Sequence, residues 1–235
     1  MPNKILVLPI GGSASRMQGL PKFLLPFDSE SILIERHITA ALNNEFSKVL
    51  IIVRDDFFEI TSLYLSKFDS RVQILKLDVQ TKTMCETLLL GLQGIKFSPD
   101  DQIVVALADT AFSRNQYQEI YSKALTLSSE PLLILFEGTE EQFGKLGQVE
   151  IDEQGYVTAM KDKVPGCRFK FFWGIASFPY SLFERVDGVD AHIGISIQKW
   201  LDDGLVVKGV PVYSLYFDCG TFSEYRRFMN SNAMD

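Results

Sequence analysis

Residues 6–27 read LVLPIGGSASRMQGLPKFLLPF, an apolar run followed by small residues, an arginine and a Pro-Lys pair. The run over residues 5–10 predicts a buried strand, and the small residues after it let the backbone bend and approach an anion closely. Ligands of an open parallel sheet bind beyond the carboxyl ends of its strands, which is where this loop would lie. Small residues alone fit equally well a tight turn with two surface cations. The residues expected around a bound triphosphate are Gly11, Gly12, Ser13, Ala14, Ser15, Arg16 and Lys22.

Short β-rich runs alternate with amphipathic helical patterns through the first half of the chain. The strands are predicted at residues 49–53, 72–77 and 103–107, and the helices at residues 31–42, 57–65, 87–92 and 116–127. This alternation predicts an α/β fold of three layers, with a mixed, mostly parallel, Rossmann-like sheet between helices.

The pattern changes after about residue 140, where short strands dominate. Strands are predicted at residues 132–136, 148–151, 157–160, 169–178, 206–212 and 214–217, and helices at residues 193–201 and 222–229. The chain shows no repeat and no flexible linker. We therefore expect one domain over residues 1–235, with a small β-rich elaboration in its second part.

Composition and charge restrict the class of partner. The 235 residues carry a net charge of −7, so no basic surplus is present to bind nucleic acid or an anionic membrane surface. No apolar stretch approaches the roughly 20 residues that span a bilayer, and the first residues do not resemble a signal peptide. Cys85, Cys167 and Cys219 are odd in number and widely spaced, which favours reduced thiols in the cytoplasm.

The opening stretch matches neither of two common phosphate-binding patterns. It lacks the Gly-Lys-Ser/Thr of a Walker A loop and the GxGxxG of a dinucleotide fingerprint. The segments IGGSASRM and PKFLLPF instead resemble the signature of nucleotidyltransferases that make sugar nucleotides and related activated alcohols. The short gap between Arg16 and Pro21 is most similar to the compact cytidylyltransferases of that family. Ala14 and Ser15 depart from the family's glycine and threonine, but both are small.

This resemblance implies the nucleotide-diphospho-sugar transferase type of fold. It also implies a nucleotide-binding part over residues 1–140 and an acceptor-binding part over residues 141–235. Gly11 to Arg16 would hold the phosphates of an NTP, with CTP, UTP or dTTP as candidates. Arg16, Lys22 and Asp109 would act in catalysis. Gln80 and Thr83 stand where the family contacts the base.

Two aspartates follow apolar strands and are candidate ligands of Mg²⁺, which proteins bind through one or two carboxylates. Asp109 lies in ALADTAF and Asp218 in YFDCGTFSEY, and both segments resemble metal-binding segments of the family. Position alone leaves simpler roles open, a helix cap for Asp109 and a turn for Asp218.

The acceptor side is predicted from LGQVEIDEQGYVTAMKDKV and FFWGIASF, which resemble the family's acceptor-binding segments less closely. Trp173 replaces a small or polar residue and is expected to reshape the pocket. His37 and His192 lack any partner at metal-ligand spacing and are expected to be structural. The candidate acceptor contacts are Gly147, Asp162, Lys163 and Gly174.

The implied activity is Mg²⁺-dependent transfer of a nucleoside monophosphate to a phosphorylated sugar or polyol, with release of pyrophosphate. Two alternatives stay open. A related glycosyltransferase would require an Asp-x-Asp, which ADTAF lacks, and a non-catalytic nucleotide-sugar binder would fit the departures at Ala14, Thr83 and Trp173. The sequence leaves the oligomeric state open, with a homo-oligomer among the alternatives.

Overall fold

The fold is built around a central mixed β-sheet. The computed structural model describes residues 2–12, 17–125 and 130–231. The strands in these ranges are β1 Lys4–Ile10, β2 Lys48–Arg54, β3 Val72–Leu77, β4 Gln102–Ala106, β5 Thr110–Phe112, β6 Leu132–Glu137, β7 Gly147–Ile151, β8 Val157–Asp162, β9 Phe171–Pro179, β10 Lys208–Val212 and β11 Tyr216–Asp218. The helices are α1 Leu33–Asn43, α2 Asp55–Leu65, α3 Met84–Gly91, α4 Tyr117–Ala124, α5 Ile193–Asp202 and α6 Phe222–Met229.

The strand order of the main sheet is β10-β6-β9-β4-β1-β2-β3. β1, β2, β3 and β4 are mutually parallel where they pair, and β10 is parallel to β6. β9 runs antiparallel between β4 and β6, so the second half of the chain completes the sheet begun by the first. The predicted mostly parallel α/β sheet is confirmed.

Both faces of the sheet are covered by helices. Alternate residues of β1 point to opposite faces: Leu6 and Leu8 pack in one core cluster, Ile5 and Val7 in the other. The first cluster includes residues of α1, α4 and α6, and the second includes residues of α3 and α5. A strand buried on both faces shows a continuous apolar run, which is why residues 5–10 are apolar throughout.

The predicted β-rich elaboration is the hairpin of β7 and β8, which joins the main sheet where β7 pairs with β9. β5 and β11 form a separate antiparallel pair. β5 was not predicted, because three residues are too few to show an alternation. The strand predicted at residues 214–217 begins later than expected, at Tyr216.

The sheet also fixes where the loops meet. β1 and β4 are neighbours in parallel register, with Val7 opposite Val105, so the loops after Ile10 and Ala106 leave from the same edge. Gly11 and Asp109 lie on these two loops. Within the described ranges, no helix combines the length and apolar character needed to cross a bilayer.

Candidate active site

A cleft of about 920 Å³ lies at the carboxyl ends of β1 and β4. Ten of the residues predicted from the sequence line it: Gly11, Gly12, Lys22, Gln80, Thr83, Asp109, Gly147, Asp162, Lys163 and Asp218. The predicted contacts Ser13, Ala14, Ser15 and Arg16 lie outside the described residues. The structure therefore brings nucleotide-side and acceptor-side candidates from both parts of the chain to one cleft.

Gly174 lies apart from the other candidates, in β9, outside the residues that line the cleft. A Cβ atom added there would meet the rings of Phe136 and Tyr216 at 2.5 and 2.8 Å. The absence of a side chain thus makes room for Tyr216, which does line the cleft. A direct acceptor contact by Gly174 stays a prediction that this placement does not support.

Gly11 is the first residue after β1, and the space beside it is filled from α3. An added Cβ would stand 2.9 Å from both Cγ2 and Oγ1 of Thr87. The hydroxyl of Thr87 is itself held, 2.6 Å from the hydroxyl of Thr81 and 3.0 Å from the carbonyl of Thr83. The close packing of α3 against the loop therefore requires glycine at residue 11.

Lys22 follows Pro21 at the start of a single 3₁₀ turn, Lys22–Leu24. Its Nζ lies 3.4 Å from Oδ2 of Asp109, and both side chains are only partly exposed, 15% and 27%. The loop after β1 and the loop after β4 thus place an ammonium group and a carboxylate together inside the cleft.

Asp109 and Asp218 are brought together by the small β5–β11 pair. Asp218 is the register partner of Thr110, and the N–H of Cys219 donates to the carbonyl of Asp109 at 2.9 Å. Tyr216 is affected by both carboxylates: burial first, and then Asp218 and Asp109, raise the pKa of its phenol well above the ordinary value. The two predicted metal ligands, 109 positions apart in the chain, are therefore neighbours in the fold.

These two aspartates fit a magnesium ion that binds together with a nucleotide. No three His, Cys, Asp or Glu side chains of the described ranges converge closely enough to hold a metal ion by themselves. Mg²⁺, however, usually takes one or two carboxylates and completes its shell with water and substrate phosphates. A pair of carboxylates beside the loop predicted to bind phosphates matches that requirement.

Thr83 lines the cleft, but its hydroxyl is already used within the protein. It accepts from the N–H of Glu86 at 2.9 Å as the N-cap of α3, and donates to the carbonyl of Gly188 at 2.6 Å. The neighbouring N–H of Met84 donates to the carbonyl of Ala191 at 3.1 Å. Thr83 therefore ties the end of the cleft with the predicted nucleotide contacts to residues 187–192, and its one hydroxyl hydrogen is not available to a base in this arrangement.

The end of the cleft with the predicted acceptor contacts is shaped by Trp173 on β9, whose indole fills the space beside two glycines. Its Nε1 would lie 2.3 Å from a Cβ added at Gly147 and 2.8 Å from one added at Gly194. A second, small cavity of about 100 Å³ adjoins the cleft here and shares Gly147, Asp162, Trp173 and His192 with it. The expected influence of Trp173 on this pocket is thus visible in its contacts.

His192 lies in this wall, although the sequence suggested only a structural role. Its Nε2 is 2.9 Å from Oδ2 of Asp162, in an approach that is off the line of the ring N–H bond. This interaction, opposed by burial, lowers the pKa of Asp162. A single histidine before a helix carries no sequence signal for such a contact, because Asp162 is 30 positions away.

Other cleft residues were also not predicted. Thr81, Lys82, Thr87 and Tyr216 line it. Thr81 and Lys82 are next to predicted site residues, Thr87 is one helical turn from Thr83, and Tyr216 is two positions before Asp218 in β11. Their closeness in the sequence to predicted site residues was the signal that could have identified them as cleft residues. His37, by contrast, is fully buried away from the cleft lining, between Tyr121 and the carbonyl of Thr110.

The family model of the MobA-like NTP transferase domain matches residues 6–149, which include Gly11, Lys22, Asp109 and Gly147. The chain belongs to this family. No curated protein sequence matches the chain. The family resemblance read from the opening stretch is therefore confirmed.

Solved structures share the fold of this NTP transferase domain at low sequence identity. A putative glucose-1-phosphate thymidylyltransferase from Bacillus anthracis is 16% identical, with a TM-score of 0.79 over 99% of this chain and 94% of that one. The inositol-1-phosphate CTP transferase from T. maritima is 14% identical, with a TM-score of 0.75 over 97% and 94%. A UTP-bound UGPase from Acinetobacter baumannii is 15% identical, with a TM-score of 0.72 over 97% and 92%.

Proposed function

We propose that this NTP transferase domain transfers a nucleoside monophosphate from an NTP to a phosphorylated sugar or polyol and releases pyrophosphate. The observation that supports this most is the meeting of Lys22, Asp109 and Asp218 in one cleft beside the loop of Gly11 and Gly12. A cation, two carboxylates and a loop of small residues are the groups that phosphoryl-type transfer requires.

In this reaction an oxygen of the acceptor phosphate attacks the α-phosphorus of the NTP, and the bond from that phosphorus to the bridging oxygen of pyrophosphate breaks. No covalent intermediate with the protein is needed, so the residues contribute position and charge. Backbone N–H groups at Gly11 and Gly12 bind phosphate oxygens, and Lys22 offsets the charge that develops on them. Arg16 is proposed to share that task.

Asp109 and Asp218 would hold Mg²⁺ in this proposal. The ion, when bound, supplies positive charge that neutralises phosphate oxygens. The pairing of Lys22 with Asp109 implies that Lys22 leaves this carboxylate when a nucleotide binds, because the phosphates offer it a stronger anionic partner.

The substrates are proposed by class. CTP, UTP and dTTP are the candidate nucleotides, in line with the nucleotides named for the structural neighbours. Gln80, together with backbone groups near Thr83, faces the base, and Gly147, Asp162 and Lys163 face the acceptor. We place the nucleotide-binding part within residues 1–140, the acceptor-binding part within residues 141–235, and the protein in the cytoplasm.

The test is a matrix of NTPs against sugar and polyol phosphates, with pyrophosphate release as the measurement and with or without Mg²⁺. The proposal expects release from one nucleotide and one acceptor class, only with Mg²⁺ and only with both substrates present. Hydrolysis or transfer from a finished nucleotide sugar would indicate a glycosyltransferase instead. Tight nucleotide-sugar binding without any turnover would indicate a non-catalytic binder.

A further inference from the structure

Residues 187–192 form a firmly held segment between the two sides of the cleft. Thr83 and Met84 bind the carbonyls of Gly188 and Ala191, as described above. On its other side the segment is anchored by Asp190, which is buried and accepts from the hydroxyl of Ser196 at 2.8 Å and from Nζ of Lys199 at 2.6 Å. The backbone that carries His192 is therefore fixed from α3 and from α5.

The side chain of His192 extends from this segment to β8. Its Nε2 lies 2.9 Å from Oδ2 of Asp162, and the imidazole ring lies 5.7 Å from the ring of Trp173, centroid to centroid. The His192 side chain is 12% exposed and that of Asp162 is 28% exposed, and both line the cleft. The histidine is thus the more deeply buried of the two.

We propose that His192 is a positioning residue that holds the carboxylate of Asp162 toward the acceptor. The inference rests on the proposed function, which makes Asp162 an acceptor contact. With one carboxylate oxygen held by the imidazole, Asp162 presents its remaining lone pairs to hydroxyl groups of a sugar or polyol. A site residue is positioned well when the residue that contacts it is itself held, and the backbone of His192 is held within the segment 187–192.

Asp162 has few other charged neighbours that could hold its carboxylate in place. The charged groups that act on it are His192 and the adjacent Lys163. Lys163 has a positive φ of 51° and lines the cleft, so it is available to the acceptor phosphate. This leaves His192 as the group that orients Asp162.

The test compares His192→Ala and His192→Gln with the wild type. Loss of the contact should raise the acceptor KM several-fold, less than the roughly tenfold or more expected for a well-aligned hydrogen bond to a charged group. The kcat and the KM for the NTP should stay close to wild type, and His192→Gln, which keeps an N–H donor, should recover part of the loss. Val189→Ala, an exposed change in the same segment, is the matched control and should alter nothing.

A double-mutant cycle with Asp162→Asn separates positioning from a general structural effect. If His192 acts through Asp162, adding His192→Gln to Asp162→Asn should change the acceptor KM no further. Additive effects, or equal rises in the KM of both substrates, would overturn the proposal. If His192→Ala does not fold, the cycle with His192→Gln decides the question alone.

A second measurement does not depend on turnover. In protein labelled with ¹³C at the aspartate carboxyls, the pKa of Asp162 should rise in His192→Gln, and an unchanged titration would overturn the proposed contact. If the wild type transfers nucleotide to no acceptor, the proposed function fails, and the carboxyl titration still shows whether His192 holds Asp162.

Discussion

Lys22 has two possible partners in the cleft, the carboxylate of Asp109 and the phosphates of a nucleotide. In the structure it is paired with Asp109 at 3.4 Å. The pair neutralises two charges that are partly withdrawn from water, which lowers the cost of keeping them there. The same pairing means that Lys22 competes with a metal ion for Asp109.

Lys22→Ala is therefore expected to have opposite effects on turnover and on metal binding. Turnover should fall about a hundredfold or more, because one charge-stabilising group contributes about 3 kcal/mol to the transition state. Binding of Mn²⁺ without nucleotide, measured by electron paramagnetic resonance, should become tighter. Lys96→Ala, at an exposed position outside the cleft, is the control. Near-normal turnover in Lys22→Ala would contradict its role at the phosphates.

Gly11 gives a second prediction at the residue scale, because its lack of a side chain accommodates Thr87. Gly11→Ala should destabilise the protein by about 1–3 kcal/mol, the usual cost of overpacking, and should weaken nucleotide binding. Thr87→Ala removes the two nearest atoms that the new Cβ would meet and leaves Oγ1 of Thr81 at 3.2 Å, so the double variant should regain stability relative to Gly11→Ala. Urea unfolding of the two single variants and the double variant measures this, and a purely additive loss would show that the clash is absent.

Single residues show how far the sequence predicts this site. Lys22, Asp109 and Asp218, which line one cleft, were predicted because each lies in a segment that resembles a short motif of the family. His192 was missed because its partner Asp162 is remote in the chain and only the packing of α5 on β8 brings them together. Thr83 was located correctly in the cleft, but its hydrogen bonds to Glu86 and Gly188 depend on tertiary structure.

At the scale of elements, long periodic segments were predicted well and short ones were not. β1 and α6 agree with their patterns because a strand buried on both faces and an amphipathic helix both leave a clear period. β5, with three residues, leaves none, yet it pairs with β11 and aligns the two aspartates. The two shortest strands, β5 and β11, are thus the ones that join the predicted metal ligands.

His37 connects α1 to β5 and α4 in this part of the fold. Burial lowers the pKa of His37 to about 4, so the imidazole is neutral near pH 7. Its Nε2 donates to the carbonyl of Thr110 at 3.0 Å, since a carbonyl can only accept. In the neutral ring the unprotonated Nδ1 then accepts from the hydroxyl of Tyr121 at 2.7 Å.

This lowered pKa predicts a pH-dependent stability. Above the unfolded-state pKa of about 6.5 the contribution of neutral His37 is fully present, and it is lost as the pH falls toward 4, because only the unfolded chain takes up the proton. At pH 5 the loss is about 2 kcal/mol. Urea unfolding at pH 7.5 and pH 5 measures it, and His37→Gln should reduce the difference by that amount. An equal pH dependence in both proteins would contradict the neutral buried histidine.

At the scale of the whole molecule, the cleft is built from both parts of the chain. β9 and β10, from the second part, complete the sheet, and β11 carries Asp218 to the loop that holds Asp109. A ligand that binds both aspartates therefore connects segments that are remote in the sequence. Such a ligand binds the folded chain and not the unfolded one, so it stabilises the whole fold.

Mg²⁺ together with the bound NTP is therefore expected to raise the Tm, and both aspartates are expected to be needed for the metal-dependent part. A metal ion at 100 times its Kd adds about 2.7 kcal/mol, which corresponds to about 5–10 °C for a chain of this size. In Asp218→Asn, and equally in Asp109→Asn, the NTP-bound protein should stay folded, but Mg²⁺ should no longer shift its Tm. Asn keeps the size of the side chain and removes the charge that attracts the ion.

Glu153→Gln is the matched control, since it removes an acidic charge from the exposed turn between β7 and β8, outside the cleft lining. Its Tm should respond to Mg²⁺ as the wild type does. Scanning calorimetry of the wild type and the three variants, with the NTP present and the metal varied, shows whether the Mg²⁺-dependent rise in Tm requires both aspartates or only Asp109. A shift that survives in Asp218→Asn but not in Asp109→Asn would mean that the ion is held by the first part of the chain alone. The β5–β11 pair would then serve only to pack Tyr216 and Cys219 against the cleft, and the two-aspartate site would be wrong.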